Sequence, residues 1–302
     1  MELRDSIFND ICKLMAVDER IIMLTADHSA FGLNVLRETF PDRYINVGIA
    51  EQDMISVAAG LALDGMKPIV YSIINFTTFR CLEQINVDVS MMNLPIIILG
   101  VGAGFCYSTD GPTHHGVQDI GIMKMIPKLK IFNISDDVSA NKSLTEAYNY
   151  NGPSYIRFDK GDYSSIKCTE YDGFRVIKTP VNGKLVISTG TLIHDIIAVT
   201  DTIKCGLIDV FRLKDLPNIF NTIEDIKEIL LIEEHFIDGG LGTILLEELN
   251  KCGYYHIKIK RIGIENTHVF VYDSNRQNIL EKHKLDIYNL KIAITEFSVN
   301  QK

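Results

Sequence analysis

Residues 43–53 read Arg-Tyr-Ile-Asn-Val-Gly-Ile-Ala-Glu-Gln-Asp, a pattern typical of a short β-strand that turns into a helix. Glu51 lies in the first turn of that helix, and residues 54–62 are small and apolar enough for a deeply buried helix face. Burial raises the pKa of a carboxyl group, and carboxylates in such places are often functional. A glutamate at this position is also common for stability alone, because the helix dipole favours it. The rest of the chain decides between these two interpretations.

Strand-like and helix-like segments alternate around this stretch. Short apolar strands are predicted at residues 21–24, 68–73, 95–101, 130–134 and 154–158, with helices at 54–63, 79–92 and 140–148. The longest apolar run, residues 94–101, is too short to span a bilayer and is typical of a buried parallel strand. The alternation predicts an α/β fold, in which a mostly parallel sheet is covered by helices on both faces.

A second alternation follows a polar break. Residues 166–183 are predicted as a linker between domains. Beyond it, strands are predicted at 184–189, 206–211, 228–232 and 257–264, with helices at 193–203 and 240–250. We therefore expect two domains, residues 1–165 and 184–302, each built on a mostly parallel sheet.

Composition excludes several classes of protein. The 302 residues carry a net charge of −9 and no long cluster of lysines and arginines, so no nucleic-acid partner is expected. The charged N-terminus lacks the apolar region of a secretory signal, so a cytoplasmic location without membrane attachment is expected. The 6 cysteines are scattered without a Cys-x-x-Cys pair, which disfavours zinc and disulfide frameworks. Cys106 alone lies in a glycine-rich loop, where a reactive thiol would be worth testing.

Two motifs resemble those of the transketolase family of thiamine-diphosphate enzymes. Residues 40–44 and 47–52 are similar to the family's pyrimidine-binding domain, and residues 110–116 (Asp-Gly-Pro-Thr-His-His-Gly) are similar to its Asp-Gly-Pro-Thr-His loop. The resemblance runs from about residue 5 to residue 160 and continues more weakly to the end. Within the family, the chain resembles the C-terminal halves of deoxyxylulose-phosphate synthases and the C-terminal subunits of split transketolases. It implies the family's pyrimidine-binding fold, followed by a C-terminal domain that helps dimerisation and has no direct catalytic role.

The resemblance implies which residues hold the cofactor. Glu51 matches the glutamate that hydrogen-bonds the aminopyrimidine of thiamine diphosphate and promotes loss of a proton from the thiazolium carbon. Phe76 and Phe79 lie where relatives place rings that stack on the pyrimidine, and which of the two stacks is left open. Either ring would also suit a hydrophobic core. Ile49 is expected to contact the cofactor beside Glu51.

Substrate residues follow from the same resemblance. Asp110 and His114 match the loop residues that contact sugar hydroxyls and assist proton transfer, so we expect His114 to be catalytic. Arg157 and Lys160 lie where phosphate-using relatives carry two arginines, and the lysine keeps the charge without the bidentate geometry. Asp27 follows the first predicted strand and faces the expected site.

One part of the family's site is missing. The family binds the diphosphate through Mg²⁺, with a Gly-Asp-Gly motif and a downstream asparagine. The sequence contains Gly161-Asp162 followed by Tyr163, and no Gly-Asp-Gly. The resemblance therefore implies that this chain binds no metal itself. A separate N-terminal-type subunit would bind Mg²⁺ and the diphosphate, share the cofactor with this chain and form an α2β2 heterotetramer with it.

We therefore predict the C-terminal subunit of a split transketolase that transfers a two-carbon ketol unit between sugars or sugar derivatives. One alternative is a decarboxylating carboligase resembling deoxyxylulose-phosphate synthase. The β subunit of a 2-oxo acid dehydrogenase is disfavoured, because its loop sequence differs. A non-catalytic scaffold subunit is a further alternative, although it would not require Glu51, Asp110 and His114 together. The donor and acceptor stay open, because one fold and one cofactor serve many substrates.

Overall fold

The computed structural model describes residues 2–28, 30–216, 219–223, 225–270 and 275–299. Within these residues the strands form two six-stranded sheets. Buried residues from both faces of each sheet pack against helices, so each sheet is covered on both sides. The predicted α/β fold with two mostly parallel sheets is confirmed. In this part of the chain, no helix combines the length and apolar character needed to cross a membrane.

The first sheet is parallel throughout its described pairings. Its strands are β1 (Ile21–Thr25), β2 (Tyr44–Asn46), β3 (Lys67–Ile73), β4 (Ile97–Val101), β5 (Lys130–Asn133) and β6 (Ser154–Phe158). They lie in the order β2-β1-β3-β4-β6-β5. Strands β1, β4 and β6 are buried at every residue, which explains why they are continuous apolar runs instead of alternating ones.

The helices of the first half lie on both faces of this sheet. They are α1 (Leu3–Val17), α2 (Phe31–Thr39), α3 (Glu51–Leu63), α4 (Ile74–Thr77), α5 (Leu82–Gln84), α6 (Asp119–Met123) and α7 (Asp137–Asn149). Short 3₁₀ turns lie at Pro41–Arg43 and Ser108–Asp110, and a π-helical segment lies at Ile85–Ser90. The helix predicted at residues 79–92 is thus divided, and its regular part begins only at Leu82.

Helix α3 packs against the sheet through one face. Its buried apolar residues recur at helical spacing and are Met54, Ile55, Ala58, Ala59 and Ala62. The three alanines allow the helix backbone to approach strand β3 closely. Glu51 is the first residue of this helix and is only 2% exposed. The packing of α3 therefore fixes a buried carboxylate at the end of β2, where the helix dipole favours its negative charge.

The second sheet is parallel over four strands and antiparallel at one edge. Its strands are β7 (Thr169–Glu170), β8 (Phe174–Lys178), β9 (Lys184–Ser188), β10 (Gly206–Val210), β11 (Glu228–Phe236) and β12 (Lys258–Ile264). They lie in the order β12-β11-β9-β10-β8-β7. The accompanying helices are α8 (Ile193–Thr200), α9 (Ile219–Thr222), α10 (Leu241–Cys252), α11 (Arg276–Lys282) and α12 (Ile287–Ser298).

The segment predicted as a linker, residues 166–183, carries strands β7 and β8 of the second sheet, so this assignment is corrected. Arg175 in β8 is fully buried, and its guanidinium pairs with Asp136 at 2.8 Å and with Asp209 at 2.6 Å. An arginine in the middle of a short strand interrupts the apolar pattern, so the sequence pattern does not reveal the strand. The second sheet therefore begins before residue 184, and the boundary of the first domain at residue 165 stays a prediction.

The two sheets are joined by backbone hydrogen bonds. The amide of Asn133 in β5 donates to the carbonyl of Phe211 at 2.9 Å, and the amide of Leu213 donates to the carbonyl of Ile131 at 2.8 Å. An edge strand otherwise presents unpaired backbone groups. The segment after β10 therefore covers the β5 edge and fixes the second sheet against the first.

Candidate active site

The predicted site residues follow the carboxyl ends of strands in the first sheet. Asp27 follows β1, Glu51 begins the helix after β2, Phe76 follows β3, His114 lies in the loop after β4, and Lys160 follows β6. Parallel strands present their carboxyl ends at one edge of the sheet, and open α/β sheets bind ligands there. The topology thus places residues from distant parts of the sequence along a single edge.

Glu51 is paired with an arginine that the sequence alone does not identify as a site residue. Nη1 of Arg80 donates to Oε2 of Glu51 at 2.6 Å, although the Arg80 side chain is itself 41% exposed. The guanidinium carbon of Arg80 also lies 4.1 Å from the centre of the Phe76 ring, within the range of a cation–π contact. One arginine therefore contacts both the carboxylate and the ring that are predicted to hold the aminopyrimidine.

The structure separates the two candidate phenylalanines. The ring of Phe76 meets the ring of His114 edge to face, with centres 5.0 Å apart. Phe79 is 37% exposed and makes no ring contact in the described part of the chain. Ile49 is 79% exposed in the turn before α3, where a ligand or partner can cover it. Phe76 is therefore the ring that lies with Glu51, Arg80 and His114.

The loop that carries Asp110 and His114 is held in place by Asn75, just after β3. The side-chain amide of Asn75 donates to the carbonyls of Thr113 at 2.9 Å and His115 at 3.2 Å, on either side of His114. Nδ1 of His114 lies 2.9 Å from the hydroxyl of Thr113. Asp110 is exposed. The loop thus presents a carboxylate and an imidazole, and Asn75 controls where the imidazole lies.

The neighbouring His115 has a different environment. It is buried, its Nε2 lies 3.2 Å from the carbonyl of Ser108, and its ring packs against Phe105. Burial lowers the pKa of His115, which favours the neutral form of the ring. His115 therefore supports the loop from within.

His28 is a further site residue for which the sequence predicts no definite role. Burial lowers the pKa of His28, while the negative charges of Glu51 and Asp27 oppose this shift and His114 adds to it. His28 follows Asp27 just past the carboxyl end of β1, and its ring centre lies 6.0 Å from that of Tyr71. Asp27 is exposed in the left-handed region at φ 53°, and its amide donates to the side chain of Asn46 at 3.0 Å. Asp27 and His28 therefore lie at the same edge of the sheet as the other predicted site residues.

Lys160 is partly exposed at the end of β6. Its Nζ lies 4.3 Å from the centre of the Tyr107 ring, and the same ring lies 6.1 Å from that of His114. Tyr107 therefore neighbours both the lysine and the imidazole. The ammonium group of Lys160 remains available to an anionic ligand.

The prediction that Arg157 binds substrate is corrected, because its side chain is buried in the protein interior. Arg157 is 2% exposed, its Nε donates to Asp119 at 2.7 Å, and its Nη2 donates to the carbonyl of Gly116 at 2.7 Å. The hydroxyl of Tyr155 donates to the same carboxylate at 2.7 Å. A buried guanidinium needs such partners. Arg157 therefore stabilises the loop from beneath.

Replacing Arg157 by methionine is expected to lower the free energy of unfolding by about 3–5 kcal/mol, because Asp119 would keep a buried and uncompensated charge. Urea unfolding followed by circular dichroism measures this loss. Lys13→Met is the matched control, since it removes an exposed ion pair with Asp10 and should cost less than about 1 kcal/mol. Equal losses in the two variants would contradict the corrected role.

Cys106 lies in the same loop and is not activated. Burial raises the pKa of its thiol well above the usual range, and the carboxylate of Asp159 raises it further. The thiolate is the reactive form of cysteine, so this environment disfavours a nucleophile. Across the residues that the structure describes, no group of three or more His, Cys, Asp or Glu side chains is arranged to hold a metal.

Comparison with known proteins identifies related chains. A family model described as the transketolase pyrimidine binding domain matches residues 1–165. A subunit of the apulose-4-phosphate transketolase of Actinobacillus succinogenes is 31% identical over 257 residues, which cover 82% of this chain and 82% of that protein. The 1-deoxy-D-xylulose-5-phosphate synthase of Syntrophus aciditrophicus is 31% identical over 276 residues, which cover 85% of this chain but only 41% of that enzyme. This chain therefore spans less than half the length of that synthase.

A solved structure shares the whole fold. It is described as a split gene transketolase in an inactive β4 tetramer, and it matches this chain with a TM-score of 0.85. The match covers 98% of both chains at 23% sequence identity. At this identity the likeness shows that both sheets and their arrangement are shared.

Proposed function

This chain belongs to the transketolase family, and we propose that it is the pyrimidine-domain subunit of a split, thiamine-diphosphate-dependent transketolase. In this role it transfers a two-carbon ketol unit between sugars or sugar derivatives. The observation that carries the proposal is the buried carboxylate of Glu51, which lies with Phe76 and His114 at the carboxyl edge of the first sheet. The family match and the resemblance to one subunit of a two-subunit transketolase support it.

The side chains around Glu51 fit an aminopyrimidine ring. When bound, thiamine diphosphate supplies a stabilised carbanion, by which a carbon–carbon bond beside a carbonyl is cleaved and formed again. Arg80 donates a hydrogen bond to Oε2 of Glu51. The other oxygen, Oε1, has no hydrogen-bond partner among the described residues, so Oε1 is available to a nitrogen of the pyrimidine ring. Phe76 supplies an aromatic surface next to this carboxylate. Glu51 binds and orients the ring in this proposal, and it holds the proton exchanged there.

The remaining residues suit a polar, anionic sugar substrate. His114 and His28 can donate and accept hydrogen bonds to hydroxyl groups, and the exposed Asp110 can accept them. In this proposal a ring nitrogen of His114 accepts the proton of a substrate hydroxyl, and the carbon that bears this hydroxyl becomes a carbonyl as its carbon–carbon bond to the ketol unit breaks. Lys160 binds an anionic group, such as a sugar phosphate, as a point charge and without the fork of an arginine.

The proposal includes a partner. Mg²⁺ and the diphosphate are held by a separate N-terminal-type subunit, because this chain carries no Gly-Asp-Gly motif. Two copies of each subunit form an α2β2 heterotetramer, in which the exposed Ile49 and the open end of α3 are covered by the partner. A cytoplasmic location is part of the same proposal.

Replacing Arg80 by methionine is expected to weaken cofactor binding by the assembled complex about tenfold. The variant loses the charged hydrogen bond that orients Glu51, and such bonds contribute about 1.5–3 kcal/mol, reduced here by solvent exposure. Titration calorimetry with thiamine diphosphate measures the change. Arg37→Met, which alters an exposed arginine of α2, is the control and should bind normally. Tighter binding by the Arg80 variant would mean that the guanidinium occupies the place of the pyrimidine.

An assay of the assembled complex tests the function against its alternatives. The complex is given a ketose phosphate donor with an aldose acceptor or, separately, pyruvate with the same acceptor. Ketol transfer without release of CO₂ is expected. Release of CO₂ from pyruvate would favour the second candidate, a decarboxylating carboligase, which the 31% identity to the synthase supports. A complex in which Glu51 and His114 are both replaced should be inactive. Full activity of that complex would indicate that this subunit is a non-catalytic scaffold.

A further inference from the structure

The loop that carries Asp110 and His114, residues 102–117, is closed at its base and held by the second sheet. Gly104 and Gly116 exchange backbone hydrogen bonds of 2.9 and 3.0 Å, which bring the two ends of the loop together. One residue further along, the carbonyl of Val117 accepts from the amide of Phe236, the last residue of β11, at 2.8 Å. Residues 102–117 form the substrate loop in the following description.

Glu234 in β11 holds the other end of the substrate loop. The carboxylate is buried, and its Oε1 accepts from the backbone amide of Phe105 at 2.7 Å. The chain passes so close to this carboxylate that a Cβ atom on Gly104 would lie 2.3 Å from Oε1. Gly104 also has φ +62°, a conformation that favours glycine. Only a glycine therefore allows the loop to lie directly on Glu234.

Arg276, the first residue of α11, compensates the buried charge of Glu234. Its Nη2 donates to Oε2 at 2.6 Å, and its Nε lies 3.2 Å from Oε1. Nη1 of the same arginine donates to Asp159. Asp159 in turn accepts from the backbone amide of Lys160 at 2.7 Å. One arginine of the second half thus connects the substrate loop with the segment that carries Lys160.

The connected groups form one network, in which the two carboxylates are buried and the Arg276 side chain is 27% exposed. Asp159 also accepts from the hydroxyl of Thr191, three residues beyond the end of β9, at 3.0 Å. The ring of Phe105 stacks on that of His283 with centres 5.6 Å apart, which adds an apolar contact between the loop and the second half. Buried polar networks whose members are all paired hold their parts in a single arrangement. The substrate loop and the segment that carries Lys160 are therefore both held by contacts with the second half of the chain.

We infer that Glu234 and Arg276 are positioning residues. Through them the second half of the chain holds the substrate loop and Lys160 in the relative positions that sugar binding requires. This inference rests on the proposed function. It gives the C-terminal half a task in substrate recognition beyond dimerisation. Neither residue contacts Glu51 or Phe76, and only His114 of the substrate loop packs against Phe76, so we expect the network to affect sugar binding more than cofactor binding.

Three variants and a control test the inference. Glu234→Ala removes the acceptor of the Phe105 amide, Glu234→Gln keeps an oxygen for it, and Arg276→Gln removes the charge that joins Glu234 to Asp159. Lys178→Met is the control, because it removes an ion pair with Asp201 elsewhere in the second sheet. Hydrogen exchange of the isolated chain, followed by mass spectrometry, reports on residues 102–117 without any need for activity. The assembled complex supplies the sugar KM and the cofactor Kd.

Glu234→Ala and Arg276→Gln are expected to speed exchange in the substrate loop at least tenfold and to raise the sugar KM at least tenfold. The cofactor Kd should stay within twofold of that of the original chain. Glu234→Gln should retain most of the loop protection, and Lys178→Met all of it. A lower melting temperature with unchanged loop exchange and unchanged KM would overturn the inference. If Glu234→Ala does not fold, Arg276→Gln and Glu234→Gln decide the result.

The two hypotheses can fail separately. If the original complex transfers no ketol unit, the proposed function is wrong, and hydrogen exchange still shows whether Glu234 and Arg276 hold the loop. If ketol transfer is normal and the variants change neither exchange nor KM, the positioning inference alone is wrong.

Discussion

Replacement of Glu51 by glutamine is expected to lower the turnover of the assembled complex by about 10²-fold or more, while folding and assembly are preserved. The side chain is almost isosteric, so helix α3 should begin at the same residue. Glutamine cannot take up and release a proton at the ring nitrogen, and this exchange is the proposed task of the Glu51 carboxylate. The variant also loses the ion pair with Arg80.

Two measurements check this expectation. Steady-state ketol transfer gives the turnover, and NMR of deuterium exchange at the reactive carbon of the bound cofactor reports the proton step itself. Glu83→Gln, at a glutamate in α5 outside the site, is the matched control and should behave like the original chain. Normal exchange at that carbon in the Glu51 variant would rule out the assigned role.

The isolated chain is expected to bind thiamine diphosphate very weakly and to show no transferase activity. In the proposal it supplies groups for the pyrimidine ring, and its sequence contains no Gly-Asp-Gly motif that would hold Mg²⁺ and the diphosphate. Binding and activity should both appear when the partner subunit and Mg²⁺ are added. Calorimetric titration of the isolated chain, with and without Mg²⁺, measures the first part, and the ketol-transfer assay measures the second.

A mixing experiment with a defective partner provides the control. A partner whose Gly-Asp-Gly aspartate is replaced by alanine should assemble with this chain and fail to restore binding. Micromolar, Mg²⁺-dependent binding by the isolated chain would instead reveal a diphosphate site within these residues. That result would remove the main argument for a split enzyme.

Much of the fold follows from local patterns. Continuous apolar runs such as residues 97–101 and 154–158 identify buried parallel strands, because such strands are covered on both faces. The helix that begins at Glu51 is equally clear, since its apolar residues recur at helical spacing. The family resemblance, which rests on the motifs around Glu51 and Asp110, is confirmed by the family match. The roles assigned to individual site residues stay predictions.

What the sequence does not reveal depends on partners far along the chain. Arg157 looks like a phosphate ligand until Asp119, 38 positions away, is seen to hold it in the interior. Arg80 and Glu51 are 29 positions apart and meet only because β2 and β3 end at the same edge of the sheet. Strand β8 is hidden for the same reason, since the charge of Arg175 is compensated by Asp136 and Asp209.

The hydrogen bonds between β5 and residues 211–213 make this chain difficult to divide. A fragment that ends near residue 165 would contain every predicted site residue, and it would also expose the backbone of β5 along its outer edge. Exposed strand edges pair with one another and lead to aggregation. The fragment would also lose Arg175, which leaves Asp136 as a buried carboxylate without its cation. Protein fragments that contain only one of the two halves should therefore aggregate. Insertions should be better tolerated in exposed loops away from the hydrogen bonds between β5 and residues 211–213.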